Sequence, residues 1–512
     1  MNSVSNMPKP TSNTSSKFWT WLMILATAGM AFAVIVELIN ILFYDPYGDE
    51  YFIFRTAGVL EDTDIATLTW LMFGTLFVAL MMGLPLAFVT GGLGVVFIYL
   101  VGDQAMLNII PSRIFPMMTN SDLAAIPLFI FMASMLERAG LIEEMFDVVY
   151  KWMGGLNGGL AAATILASTI LAAMVGVIGA AVVTMGIIAL PAMLKRKYNH
   201  EIALGSIMAG GTLGILIPPS ILAILYAVVA QQSVGELYLG SILPGIMLSG
   251  MYMGYVLLRS WRNPSLGPAI PVEERISLVE KLLLLRQLIA PLILVFTVLG
   301  LLFGGIATPV EAAGIGSFGA IIVAILHKRC SFKGLKDASV GTAKASAMVL
   351  WIIFGASIFV GFYILQGGQT FITEVILGTG MSSYGILFLM MVLLVVLGMF
   401  LDWVGILLLA VPIFVPIIKS LTFDGLFGLP PVPGDKVALW FGVLYLVNMQ
   451  MSFISPPFGY ALFYLRGVCP AEISMATIFR SALIFLALQT VGLLLCVLVP
   501  GIITYLPGLV YG

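Results

Sequence analysis

Apolar runs of about 20 residues recur along this chain, and a run of that length crosses the hydrocarbon core of a bilayer as an α-helix. Such runs fall at about 18–44, 65–83, 85–101, 121–137, 202–230, 240–258, 287–304, 310–327, 341–364, 437–464 and 481–506, giving about 11 predicted spans. Two further apolar segments, 159–194 and 383–419, are too long for one crossing and too short for two with a loop between them. Each is predicted to be a re-entrant helical hairpin that returns to the side it entered from. Stretches near 104–116, 140–153 and 272–286 look amphipathic rather than spanning, and the last, with a charged face and a Leu stripe, is predicted to lie along the membrane surface and link the two halves. Residues 1–17 are polar and are predicted to form a disordered tail. The apolar run after them is too long for a signal-peptide core and is read as a retained helix.

Composition agrees with the pattern. The 512 residues are 61% hydrophobic and only 9% charged, against about 25% charged in soluble domains. The fold class is therefore an all-α polytopic membrane protein. A net charge of −2 gives no reason to expect nucleic acid as a partner. Cys330, Cys469 and Cys496 lack metal-ligand spacing, so no transition metal is expected. His200 and His327 sit beside basic segment ends. A membrane-embedded enzyme would need clustered acid–base groups at membrane depth, and this chain is read as not an enzyme.

Charge also sets the sides. With the N-terminus in the cytoplasm and hairpins that do not change side, all of the 23 Lys and Arg residues fall inside except Arg55, Arg113, Lys419 and Lys436. That agrees with the positive-inside rule and puts the C-terminus in the periplasm.

Two spans are broken by proline pairs. Residues 213–226 read LGILIPPSILAILY and residues 451–464 read MSFISPPFGYALFY. Each carries a Tyr seven positions after the second Pro, and each follows a predicted hairpin. The first break runs outward and the second inward. Two halves of opposite orientation, 65–258 and 287–507, joined by a linker at 259–286, predict an inverted-repeat transporter. Pro218 and Pro219 cannot donate to the carbonyls of Gly214 and Ile215, nor Pro456 and Pro457 to those of Ser452 and Phe453. Bare carbonyls in hydrocarbon need a partner, and a bound cation or substrate can supply it. Thr212 and Ser220 flank the first break. Asn448, Gln450, Ser452 and Ser455 line the approach to the second, with Gly459 beyond it. Asp402, in GMFLDWVG at the tip of the second hairpin, is an intramembrane carboxylate and hence a functional candidate. It is also placed to cap the returning helix by accepting a backbone N–H. Glu311 reads as the partner of Thr308 in a capping box, with Pro309 at the first helical position.

The motifs GGLAAATILASTILAAMVGVIGAAVVTMGIIALPAMLKRKY, GTLGILIPPS, YLGSILPGIML, ATPVEAAGIGSFGA and SPPFGYALFYLRGV resemble the large membrane subunit of tripartite ATP-independent periplasmic (TRAP) transporters. The resemblance covers about 65–507 and is strongest to the branch labelled for mannitol or chloroaromatic compounds. It implies an elevator-type ion-transporter fold, Na⁺ as coupling ion with no cofactor, an organic-acid substrate, a periplasmic binding protein and a small four-helix membrane subunit in the bacterial inner membrane. The extra helix at 18–44 is too little for a fused small subunit, so that subunit is expected on a separate chain. Carried onto this sequence, the sodium and substrate region would be Val175, Gly176 and Gly179 in the first hairpin turn; Thr212, Gly214, Ile215, Pro218, Pro219 and Ser220 at the first break; Asp402 and Gly405 in the second turn; and Ser452, Ser455, Pro456, Pro457 and Gly459 at the second break. Many relatives have a Ser-Gly-Ser type of turn where this chain has Val175-Gly176-Val177, which shifts ligation there toward backbone carbonyls. A related superfamily of self-sufficient sodium–carboxylate symporters is the alternative reading.

Overall fold

The computed structural model describes residues 60–512 apart from 103, 176 and 177; the expected helix at 18–44 lies outside the described residues. In chain order the helices are α1 Ile65–Met81, α2 Leu86–Val101, α3 Ile109–Met118, α4 Ala125–Arg138, α5 Leu141–Met153, α6 Gly159–Val175, α7 Ile178–Lys195, α8 His200–Thr212, α9 Ile221–Ala230 and α10 Val234–Arg262. The second half holds α11 Leu278–Leu284, α12 Arg286–Phe303, α13 Pro309–Leu326, α14 Phe332–Leu365, α15 Gly368–Gly378, α16 Ser383–Gly398, α17 Trp403–Lys419, α18 Val437–Ile454, α19 Tyr460–Val468, α20 Met475–Leu498 and α21 Gly501–Tyr511. No strand occurs among the described residues. Seven described helices are long and apolar enough to cross a bilayer unaided.

Local chemistry explains the helix ends. Thr308 Oγ1 accepts the Glu311 N–H, and Glu311 Oε2 accepts the Thr308 N–H at 2.8 Å, closing the expected capping box at the start of α13. The stretch read as amphipathic at 272–286 holds a short 3-10 turn at Val272–Glu274 and then a separate helix. A second capping box, Ser277 with Glu280, starts α11 afresh, so the helix spans only seven residues before α12. The span placed at 240–258 begins earlier, at Val234, because Ser233 caps it. That placed at 341–364 begins at Phe332, where Ser331 is the cap. The run 481–506 is two helices, divided at Val499 and Pro500.

Helix α15 was not anticipated. It repeats a device from the first half. Gly140, in the left-handed region at φ 64°, ends α4 and turns the chain into α5; Gly367, at φ 84°, ends α14 and turns it into α15. A residue with a side chain is strained in that conformation, and glycine is not.

Packing repeats in the same way. Helix α2 packs on α14 and α13 packs on α4, while α4 and α14 meet each other. Glycines allow the closest of these approaches: a Cβ on Gly355 would lie 2.6 Å from the Ala87 carbonyl oxygen, and one on Gly94 would lie 2.8 Å from Ile358. In the inner part, α8 lies on its own hairpin, α6 and α7, and α18 lies on its own, α16 and α17. The second halves of the broken helices cross over. Helix α9 packs on α17, and α19 packs on α7. This exchange is the contact pattern of an internal two-fold. The deepest element is α18, every residue of which is buried.

The linker is stitched to the first half. The Gly158 N–H reaches the Gly267 carbonyl at 2.7 Å, Ile270 N–H reaches Gly154 at 2.7 Å, and Asn199 N–H reaches Leu266 at 2.9 Å. Arg196 pairs with Glu274. Beside them, Tyr198 accepts the Leu160 N–H at 3.2 Å at the base of the first hairpin. Burial pushes its phenol up to about 12, so it stays neutral.

Candidate functional site

A cavity of about 810 Å³ lies where the hairpin tips meet the outer helices. Its inner wall is Ile178 and Gly179 of α7, Ile221 of α9, Phe400 to Trp403, Phe453 of α18, and Tyr460 and Tyr464 of α19. The opposite wall is the α1–α2 connection, Gly83 to Phe88, and the middle of α14, including Met348 and Trp351. Five helices begin around this cavity: α2, α7, α9, α17 and α19 all have their first residue in the lining. Helix N-termini carry partial positive charge and free N–H groups, so their assembly suits an anion.

Two of these ends are closed by their own side chains. Ser220 Oγ accepts the Ala223 N–H at 3.3 Å, and Asp402 Oδ1 accepts the Gly405 N–H at 3.3 Å. Helices α2 and α19 have no side-chain cap. Asp402 is half-buried and is the only carboxylate among the described lining residues. Among the described residues no group of three or more His, Cys, Asp or Glu could hold a metal ion.

Both proline pairs, Pro218-Pro219 and Pro456-Pro457, contain a cis peptide bond. The carbonyls behind them fare differently from the expectation. Ile215 does not keep a free carbonyl, because the Ser220 hydroxyl folds back and donates to it. Ser452 is likewise engaged, by the Ser455 N–H at 3.3 Å. The Gly214 and Phe453 carbonyls accept no hydrogen bond from the described residues. Phe453 is held against Gly459, where a Cβ would stand 2.5 Å from its oxygen and 2.9 Å from that of Ser455. Only glycine fits there.

Most hydroxyls at the breaks serve the helices rather than the cavity. Thr212 donates to the Ala209 carbonyl at 2.9 Å and accepts from Gln489 Nε2 at 3.3 Å. Ser455 donates to Met451 at 2.6 Å. Asn448 Nδ2 and Ser452 Oγ reach across to Met391 and Leu394 of α16 and tie α18 to the second hairpin. The Gln450 side chain is fully buried and has no hydrogen-bond partner among the described residues. Of the residues singled out from sequence, the structure places Gly179 and Asp402 in the cavity wall. Gly405 faces Leu86 instead, where a Cβ would come within 2.2 Å. Gly176 lies outside the described residues, and for Val175 only the helical backbone that closes α6 is described.

The two echo tyrosines have parted roles. Tyr226 is fully buried and donates to the Ala438 carbonyl at 3.1 Å. Tyr464 is 41% exposed, lines the cavity and packs over Gly179. Its position in the repeat was the signal that could have singled it out. The outer wall, from Gly83 to Phe88 and from Ala345 to Ile352, had no such signal.

Residues 73–502 match the family described as tripartite ATP-independent periplasmic transporter, DctM component. The chain belongs to this family. Among DctM-family relatives is the isethionate TRAP transporter permease protein DctMQ of Oleidesulfovibrio alaskensis, 30% identical over 85% of this chain and 66% of that protein. The C4-dicarboxylate TRAP transporter large permease DctM of Rhodobacter capsulatus is 28% identical over 86% of this chain and 98% of its own length. Among solved structures, MtrF of Neisseria gonorrhoeae superposes with a TM-score of 0.54 at 13% identity, covering 87% of this chain and 97% of that one. That likeness is one of fold alone. The chain is thus a multi-pass large permease of the DctM family, and its relatives are transport proteins rather than enzymes.

Proposed function

We propose that this permease imports a small organic acid as its anion across the inner membrane, driven by a Na⁺ gradient. A periplasmic protein delivers the substrate, and a separate small four-helix subunit packs on the outer helices. The observation that carries this reading is the cavity: five helix N-termini surround it, two of them without side-chain caps. The C4-dicarboxylate and isethionate named for two relatives are a carboxylate and a sulfonate, and both suit such an end.

Na⁺ has hard oxygen donors within the same elements: Asp402, and the unpaired carbonyls of Gly214 and Phe453. The sodium-binding role of the hairpin turns and both breaks rests on these groups. The hairpins and broken helices interlock through the α9–α17 and α19–α7 contacts, so they can move as one body. The cavity is lined by that body on one side and by α2 and α14 on the other, while α17 also touches α14 and Leu86 beside it; an elevator motion would slide the body along this boundary. The basic-residue distribution supports an N-terminus inside and a C-terminus outside.

Purified permease, reconstituted with its small subunit, is tested for uptake with the cognate binding protein under an imposed Na⁺ or H⁺ gradient. Uptake should require both the binding protein and inward Na⁺. Equal uptake without the binding protein, or with a proton gradient alone, would overturn the corresponding part of the proposal.

A further inference from the structure

At its basic end, α10 carries two clefts that the transport cavity does not use. One, of about 560 Å³, is lined by Tyr255, Leu258, Arg259, Arg262, Asn263 and Leu266. The other, of about 590 Å³, includes Leu257, Leu258, Trp261 and, from the neighbouring segments, Asn157 and Arg275. Tyr255, Leu258, Arg259 and Arg262 fall at i, i+3, i+4 and i+7 and so form one stripe of the helix. Leu257, Leu258 and Trp261 form the adjacent stripe. Leu258 is the ridge between the clefts, 62% exposed, and Trp261 is 72% exposed.

The charges here are uncommitted. Arg259, Arg262 and Arg275 are exposed, and none forms an ion pair with a described carboxylate. Arg259 lies over the Tyr255 ring, 5.9 Å from its centroid, and Arg275 uses only its Nε, on the Ile270 carbonyl at 3.0 Å. The terminal guanidinium nitrogens of Arg262 and Arg275 make no hydrogen bond to described residues, and Arg259 is engaged only by Tyr255. Glu201 forms no ion pair with any of these arginines.

Exposed leucines, an interfacial Trp and Tyr, and open guanidinium groups at one level of a membrane helix match the two ends of a lipid. Acyl chains fit the apolar ridge, and a phosphodiester fits the bidentate forks. We propose that the end of α10 is a binding site for an anionic phospholipid of the cytoplasmic leaflet, its headgroup held by Arg259, Arg262 and Arg275. The leaflet follows from the topology proposed above; the site itself does not depend on it. A bound lipid would join α10 to the linker through Arg275 and steady the segment stitched to the base of the first hairpin.

The probe is cardiolipin, with phosphatidylcholine as the comparison and excess inorganic phosphate as competitor. Binding to the purified permease is read by native mass spectrometry. The wild type should retain cardiolipin over phosphatidylcholine, and phosphate should not displace it. Arg259→Gln and Arg262→Gln, both exposed and without protein ion pairs, should each weaken retention about fivefold. Arg275→Gln should do the same, and the three corresponding Lys variants should keep most of the binding. Equal retention by the Gln variants, or displacement by phosphate alone, would overturn the lipid site. Labelling of Arg262→Cys from outside intact cells would instead overturn the topology, because it reads sidedness and not lipid retention.

Discussion

Asp402 combines two duties that a substitution can separate. Asparagine caps a helix about as well as aspartate, so Asp402→Asn should leave the start of α17 and the protein's melting temperature nearly unchanged. It removes the only carboxylate of the described cavity wall. Half-saturation by Na⁺ in uptake assays should rise by about tenfold or more, the scale of a lost charged partner. An unchanged Na⁺ dependence would reject the sodium-ligand role. Gly459 gives a complementary test. Gly459→Ala sets a methyl against the Phe453 and Ser455 carbonyls, so transport should be lost. Gly467→Ala, inside the helix that Gly459 precedes and with nothing within 4 Å, should transport normally.

At the scale of elements, Ser220 does more than its sequence context shows. Its hydroxyl donates to Ile215 and accepts from Ala223, and its own carbonyl accepts from Tyr238. Ser220→Ala therefore removes a cap and frees a buried carbonyl together, and should cost about 2 kcal/mol of stability, read as a fall in melting temperature in detergent. Ser382→Ala, at an exposed cap, should cost about half as much. The breaks, the hairpin segments and the Thr308 capping box were legible because proline, glycine and N-cap chemistry act over three or four residues. The return of the Ser220 hydroxyl was not, because it depends on a side-chain direction set by the folded break. Helix α15 was missed although Gly367 stands after α14 as Gly140 does after α4. Its polar start, GQTFITEV, hid it among the loops. The outer cavity wall was illegible for another reason: Gly83 to Phe88 and Trp351 meet the hairpin tips only through tertiary packing.

At the scale of the molecule, the crossed contacts make each half complete the other. Gly355→Leu places bulk where even a Cβ would lie 2.6 Å from the Ala87 carbonyl and should destabilise the α2–α14 contact by about 1–3 kcal/mol. A deeper consequence follows from the exchange of α9 and α19. Neither half, alone, can cover its own hairpin, so the chain behaves as a heterodimer whose two subunits share one polypeptide. The covalent join is incidental to that partnership. Because residues up to Glu274 are docked on the first half, a cut after Ile276 should leave two fragments that are unstable when made singly. Made in the same cell, they should find each other and restore uptake.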